Sequence, residues 1–113
     1  MRDSICKNNN LKVYNILRRL GFRPNNVGTE FILKAILLIQ DIDDTINIGL
    51  IYEKIANESN TLTAKNVRMA ISYAITHRNE DKSIENFEDI FGYDYDEDIF
   101  SNKDLICEIA RII

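Results

Sequence analysis

The stretch that decides the fold is Thr61–Ile75, TLTAKNVRMAISYAI. It opens with threonines, and Thr63 is placed to cap a helix that begins at Ala64 and runs to about His77. Apolar residues recur along it at three- and four-residue spacing, which predicts one buried helical face. That face consists of Val67, Ala70, Ile71, Ala74 and Ile75. The opposite side carries Lys65, Asn66, Met69, Ser72, Tyr73 and Thr76.

The segment before this helix also carries apolar residues at helical spacing. Asn47–Ser59, NIGLIYEKIANES, predicts a helix with Ile48, Ile51, Tyr52 and Ile55 on one face. A polar break of about five residues then separates the two helices, which are the proportions of a helix-turn-helix. Any two short helices joined by a tight polar turn give the same spacing, so the spacing alone does not establish DNA binding.

Two further helices are predicted before this pair. The first runs from about Leu11 to Leu20, with Asn10 as its cap and Gly21 at its end. The second starts near Asn26 and contains FILKAILLI, whose wide apolar coverage predicts the central, most buried helix. The acidic segment Asp41–Thr45 follows and ends it.

The C-terminal third predicts two more helices. Ser83 is placed to cap a short one that ends at Gly92, and its apolar stripe is Ile84, Phe87, Ile90 and Phe91. After an acidic loop, Ser101 or Asn102 caps the last helix, where Ser101-x-x-Asp104 resembles a capping box. We therefore predict an all-α fold, a compact bundle of about six helices that contains a helix-turn-helix. Residues 1–9 are predicted to be a flexible N-terminal tail, and residues 10–113 a single helical domain.

Composition excludes several classes of protein. No apolar run is long enough to cross a membrane, and the N-terminus does not resemble a signal peptide, so we expect a cytoplasmic protein. In a reducing compartment Cys6 and Cys107 are expected to be free thiols, the latter buried and inert. The single histidine, His77, has no partner at metal-ligand or catalytic spacing. We therefore expect no catalytic residues, no metal and no cofactor.

Two acidic windows partly match the pattern of a calcium-binding loop. Asp94, Asp96 and Asp98 occupy the first three positions of an EF-hand, but Ile99 stands where the loop needs glycine, and Leu105 where it needs glutamate. The window that begins at Asp41 fails at the same two positions. The sequence therefore disfavours calcium binding.

Five segments, in order and at matching spacing, resemble a known family. They are LRRLGFRPNNVG, FILKAI, IYEKIA followed by NTLTAKNVRMAISYAI, FEDIFGY and SNKDLICEIARII. Together they resemble the C-terminal effector domain of the stage-zero sporulation response regulator of spore-forming bacteria, from about Val13 to Ile112. The resemblance implies a six-helix DNA-binding domain whose helix at residues 64–77 lies in the major groove. It also implies head-to-tail dimers on tandem sites, with the last helix contributing to the contact between subunits.

The parent regulators carry a receiver domain whose phosphorylation relieves inhibition. The 113 residues leave no room for one, so we expect a stand-alone domain in which a phosphorylation switch would need a separate chain. The sequence departs from the family on the outer face of the recognition helix. Asn66, Met69 and Ser72 stand where the family has arginines, and Arg68 stands where it has a glutamate.

Charge divides the chain. Through Asn79 there are eleven Lys and Arg against seven Asp and Glu, whereas from Glu80 onward there are three against eleven, which gives the net −4. Such a balance opposes strong, sequence-independent DNA binding, which depends on Lys and Arg meeting phosphate. A basic patch could still form in the N-terminal part, and its candidates are Arg18, Arg19, Arg23, Lys54, Lys65, Arg68 and Arg78. An ordinary solvated surface explains the same residues equally well.

Two functions follow from these observations. The first is a DNA-binding regulator that contacts double-stranded DNA through Lys65, Asn66, Arg68, Met69, Ser72 and Tyr73. The second is a protein-interaction module that kept the fold, lost strong DNA binding and modulates a related regulator by hetero-association. Its acidic C-terminal third and the apolar end IARII would form the partner surface, and the last helix could mediate a homodimer or a heterodimer.

Overall fold

The computed structural model describes residues 2–40, 47–59 and 62–113. Six α-helices lie in these ranges: α1 (Arg2–Arg19), α2 (Val27–Gln40), α3 (Ile48–Asn57), α4 (Ala64–Thr76), α5 (Glu80–Phe91) and α6 (Asn102–Ile112). One 3-10 turn, Glu97–Ile99, precedes α6. The helices and their order confirm the predicted all-α bundle.

Helix α2 is the centre of the bundle, as its apolar coverage predicts. It packs against α1, α3, α4 and α6. Its buried side chains include Phe31, Ile32, Ala35, Ile36 and Ile39. Gly28, in its first turn, has no room for a side chain because a Cβ atom there would clash with the carbonyl oxygen of Ala70. The start of α2 therefore rests directly on the backbone of α4.

The N-terminal helix is longer than predicted. It begins at Arg2 and not at Leu11, so Asn10 lies inside α1 and does not cap it. No glycine or proline interrupts residues 2–10, so the chain has no signal to stop the helix there. The division into a tail, residues 1–9, and a domain, residues 10–113, stays a prediction.

The start of α5 also differs from the prediction. Asn79 caps it through a hydrogen bond from the Lys82 amide to its side chain, and Ser83 lies one turn inside. The Ser83 hydroxyl is fully buried and donates to the carbonyl oxygen of Leu20. Because this hydroxyl joins α5 to the end of α1, it is not available as a cap. Ile84, predicted to be on the buried stripe, is 50% exposed.

At α6, Ser101 occupies the cap position but makes no side-chain cap hydrogen bond. The predicted capping box with Asp104 is therefore wrong. At the other end of α5, Gly92 ends the helix as predicted, in a left-handed conformation. The predicted acidic end of α2, Asp41–Thr45, lies outside the described residues.

An aromatic cluster fixes the acidic loop between α5 and α6. Tyr93, Tyr95 and Phe100 each pack against the ring of Phe87, at centroid distances of 5.4, 5.3 and 6.0 Å. The acidic side chains between and after the two tyrosines are exposed: Asp94, Asp96, Glu97 and Asp98. The loop is thus anchored by its aromatic residues and presents its carboxylates to solvent.

Candidate nucleic-acid interface

Helix α4 is fixed from behind by α2 and α3, which both pack on it. Its buried residues are Val67, Ile71, Ala74 and Ile75, four of the five predicted, and the fifth, Ala70, is half-buried. Because this face is locked into the core, the opposite face is held in one orientation relative to the rest of the domain.

The N-terminus of α4 is closed by a capping box. The amide of Asn66 donates to Oγ1 of Thr63, and Oδ1 of Asn66 accepts from the amide of Thr63 at 3.0 Å. The Thr63 hydroxyl lies 2.9 Å from the same Oδ1. Thr63 is therefore the cap, as predicted. Asn66, a predicted base contact, has its carbonyl oxygen engaged within its own helix and keeps only its amide NH2 group for a ligand.

The outer face of α4 forms a continuous arc. At about 100° per residue, the six predicted contact residues span roughly 160° of the helix surface, with Lys65 and Met69 near the centre. Five of the six are exposed, and Met69 and Tyr73 have exposed fractions of 53% and 56%. The helix carries Lys65 and Arg68 and no acidic residue. The arc is therefore accessible, weakly basic and partly apolar.

Ser72 is the exception on this arc. Its side chain is half-buried, and its hydroxyl donates to Oδ1 of Asn102 at 3.1 Å. The Asn102 amide group in turn donates to the hydroxyl of Tyr52 and to the carbonyl oxygen of Arg68, each at 3.1 Å. One side chain of α6 thus joins α3 and α4. Sequence reasoning missed this role, because a residue at the start of a helix is first interpreted as a cap.

At its C-terminal end, the arc continues into His77. The rings of Tyr73 and His77 stack with centroids 3.9 Å apart. Nδ1 of His77 lies 3.0 Å from the carbonyl oxygen of Tyr73, and because a carbonyl can only accept, this nitrogen must carry the proton. His77 is exposed and is the C-cap of α4, close to the predicted end of the helix.

The predicted basic patch is divided by the structure. Arg19 forms an ion pair with Asp89 of α5. The guanidinium of Arg78 lies 3.8 Å from the centroid of the Phe100 ring and donates to Ser83, to the carbonyl oxygen of Ile75 and to the hydroxyl of Tyr95. Arg78 is therefore engaged within the fold, and the charge of Arg19 is paired at the surface with Asp89.

A second charged cluster joins Tyr93, at the start of the acidic loop, to Glu108 and Arg111 of α6. Glu108 of α6 accepts hydrogen bonds from Arg111, at 2.8 and 3.0 Å, and from the hydroxyl of Tyr93. The bonds from Arg111 and Tyr93 lower the pKa of Glu108. Burial and the bond to Glu108 raise the pKa of Tyr93 to about 12. Nearby, Cys107 is a free thiol as predicted, but it is only half-buried.

Comparison with protein families finds a match that covers most of the chain. Residues 13–113 match the family described as sporulation initiation factor Spo0A C terminal. The chain belongs to this family. The match covers the C-terminal part of α1 and all of α2 to α6, and the family is one of DNA-binding regulatory effector domains rather than enzymes.

Comparison with curated proteins and with solved structures finds no match. In the described part of the chain, no helix has the length and apolar character needed to span a bilayer. The described side chains likewise form no group of three or more His, Cys, Asp or Glu that could hold a metal ion.

Proposed function

We propose that this chain is a transcription regulator that binds double-stranded DNA, with α3 and α4 as a helix-turn-helix and α4 in the major groove. The observation that carries this proposal is the outer arc of α4, which is exposed and free of acidic residues on a helix whose inner face is locked in the core. A major groove about 12 Å wide admits a helix presented in this way. Such a regulator would act on the chromosome, in the cytoplasm.

The arc residues would have different roles. Lys65 and Arg68 are the cations of the arc and would contact guanine or phosphate. Met69 and Tyr73 would contact thymine methyl groups or sugars through their exposed apolar surface. Asn66 would donate from its amide group but would not pair bidentately with adenine, since its oxygen already accepts two contacts in the capping box.

The chemistry of the arc also sets the expected affinity. Only two of its six residues are cationic, and each lost phosphate contact reduces the dependence of binding on salt as well as the affinity. We therefore expect base recognition with weak phosphate anchoring on the arc, which gives a low overall affinity with a shallow dependence on salt.

A selection experiment tests this function. Short duplexes from a mixed pool would be incubated with the protein at low and at moderate salt, and the retained fraction would be sequenced. Enrichment of one motif, weakened by Lys65→Ala or Arg68→Ala, is the expected result. Lys12→Ala removes an exposed cation from α1 and serves as the control. Absence of any retained duplex at low salt would contradict DNA binding.

One observation supports the second function, association with a related regulator. The acidic loop presents Asp94, Asp96, Glu97 and Asp98 to solvent on a rigid aromatic anchor. A basic DNA-binding face of a related effector domain would complement this charge. The predicted apolar end contributes less to such a surface than expected, because Ile109 is fully buried and Ile112 and Ile113 pack against the core. Mixing this chain with a related effector domain and measuring the molecular mass in solution would detect a complex between the two.

A further inference from the structure

A cleft lined by basic residues lies next to the C-terminal end of α4, although the chain as a whole is acidic. It has a volume of about 440 Å³ and is lined by the end of α1, the loop that follows it, and the segment that joins α4 to α5. Five of its lining residues are basic types and none is acidic: Arg18, Arg23, His77, Arg78 and Lys82. In a chain with eighteen Asp and Glu against fourteen Lys and Arg, a cleft lined by four of these cations and no carboxylate stands out.

We propose that this basic cleft binds a phosphate group, namely a phosphodiester of the DNA strand that flanks the groove occupied by α4. The inference rests on the proposed DNA-binding function and extends the interface beyond the predicted arc. It assigns phosphate contacts to Arg18, Arg23 and Lys82, and Lys82 was not among the cations that the sequence indicated.

The three assigned cations are available for a ligand. Their side chains are exposed, and none forms an ion pair with a described carboxylate. Arg18 lies over the ring of Tyr14, 5.9 Å from its centroid, a contact that leaves its N–H groups at the edge free to donate. Arg78 differs, because its guanidinium is engaged with Ser83, Ile75 and Tyr95. It contributes a fixed positive charge to the floor of the cleft.

The walls of the cleft are held in place. The amide of Asn79 donates to the carbonyl oxygen of Gly21 at 2.9 Å, which joins the α4–α5 connection to the end of α1. Gly21 has a φ of +96°, and a Cβ atom there would clash with the carbonyl oxygen of Asn79. Cations from two distant parts of the sequence are thus brought to one opening by a close backbone contact that only glycine permits.

The position of the cleft links it to α4. The helix has 13 residues, so it is about 20 Å long. This exceeds the roughly 12 Å width of the major groove, so a helix inclined across the groove brings one of its ends to a phosphate strand. His77 lines the cleft and stacks on Tyr73 of the exposed arc. The arc and the cleft therefore form one continuous surface.

Salt dependence of duplex binding tests the assignment. Arg23→Gln and Lys82→Gln, singly and together, are compared with Lys12→Gln, which removes an exposed charge elsewhere on α1. Each single cleft variant is expected to reduce the slope of log K against log salt by about 0.9 and to weaken binding roughly fivefold to tenfold at 0.1 M salt, and the double variant is expected to reduce the slope by about 1.8. The Lys12→Gln protein should keep the wild-type slope. If the duplex binds and all these slopes are equal, the cleft is not a phosphate site, while the proposed function stands.

Titration with inorganic phosphate, followed through backbone amide NMR shifts, separates the remaining outcomes. Shifts at Gly21, Arg23 and Asn79 that disappear in the double variant are expected alongside duplex binding. If these shifts occur but no duplex binds at low salt, the cleft serves a free anion and the assignment to DNA is overturned. If neither occurs, both the inference and the proposed function fail.

Discussion

The hydroxyl of Ser72 donates to Oδ1 of Asn102 across 3.1 Å, so a residue on the outer arc of α4 is held by the first residue of α6. Ser72 has a short side chain that is turned toward this neighbouring helix. It therefore provides an internal contact between α4 and α6.

Asn102→Ala is expected to lower the free energy of unfolding by about 1–2 kcal/mol. The change removes three hydrogen bonds and leaves the Tyr52 hydroxyl and the Arg68 carbonyl without this partner. Urea denaturation followed by circular dichroism measures the loss. Asn57→Ala, at an exposed position of α3, should change stability by no more than about 0.5 kcal/mol. Equal effects of the two changes would show that Asn102 does not stabilise the packing of α6 on α4.

Introducing arginines on the arc distinguishes the effect of charge on DNA binding from the effect of packing on stability. Met69 is 53% exposed, so Met69→Arg should leave stability within about 0.5 kcal/mol and steepen the salt dependence of duplex binding by about 0.9. Ser72→Arg should cost about 1 kcal/mol, because it breaks the bond to Asn102. Ile84→Arg adds the same charge at an equally exposed apolar residue of α5, away from the arc. DNA binding that responds equally to Met69→Arg and Ile84→Arg would argue against α4 as the recognition helix.

The sequence predicted what depends on local periodicity. The inner face of α4, the Thr63 cap, the burial of α2 and the end of α5 at Gly92 all follow from spacing and from the chemistry of helix ends. The sequence predicted hydrogen bonds less well where a polar side chain has both a local and a distant partner within reach. Ser83 could cap a helix, but its hydroxyl instead donates to the carbonyl oxygen of Leu20, just beyond the end of α1, which no local pattern reveals.

The same limit applies to the functional surface. The sequence offered two interpretations of the cations in the N-terminal part, a basic patch or an ordinary solvated surface. It could not show that Arg19 pairs with Asp89 of α5, 70 residues away. Nor could it show that Lys82, within the strongly acidic third of the chain, faces the same cleft as Arg18 and Arg23. Formal charge along the sequence therefore underestimates how positive one local surface can be.

Arg78→Lys is expected to destabilise the domain by about 1–3 kcal/mol although the charge is kept. An ammonium group cannot make the three directed contacts of the guanidinium to Ser83, Ile75 and Tyr95 together with its stacking on Phe100. Thermal or urea unfolding gives the difference. Arg23→Lys, at an exposed arginine, should have little effect on stability. If both proteins unfold like the wild type, Arg78 acts only through its charge.

Titration of Tyr93 reports on the contact between the acidic loop and α6. Burial and the bond to Glu108 raise its pKa to about 12, so its phenol should ionise well above the ordinary value of about 10. Because the folded state holds this proton more tightly than the unfolded state, the stabilising contribution is complete below about pH 10 and is lost as the pH rises toward 12. The tyrosinate absorbance of the wild type minus that of Tyr93→Phe isolates this group among the five tyrosines.

Glu108→Gln should move the Tyr93 transition back toward the ordinary tyrosine pKa, because it removes the neighbouring negative charge. The carboxylate of Glu108 has the opposite pH dependence. Its pKa is lowered by Arg111 and Tyr93, so its contribution is present above the ordinary glutamate pKa and is lost as the pH falls through the lowered value. The control is Glu88→Gln, which removes an exposed carboxylate of α5 and should leave the Tyr93 transition unchanged. A Tyr93 transition that does not respond to Glu108→Gln would mean that the loop and α6 are not joined by this hydrogen bond in solution.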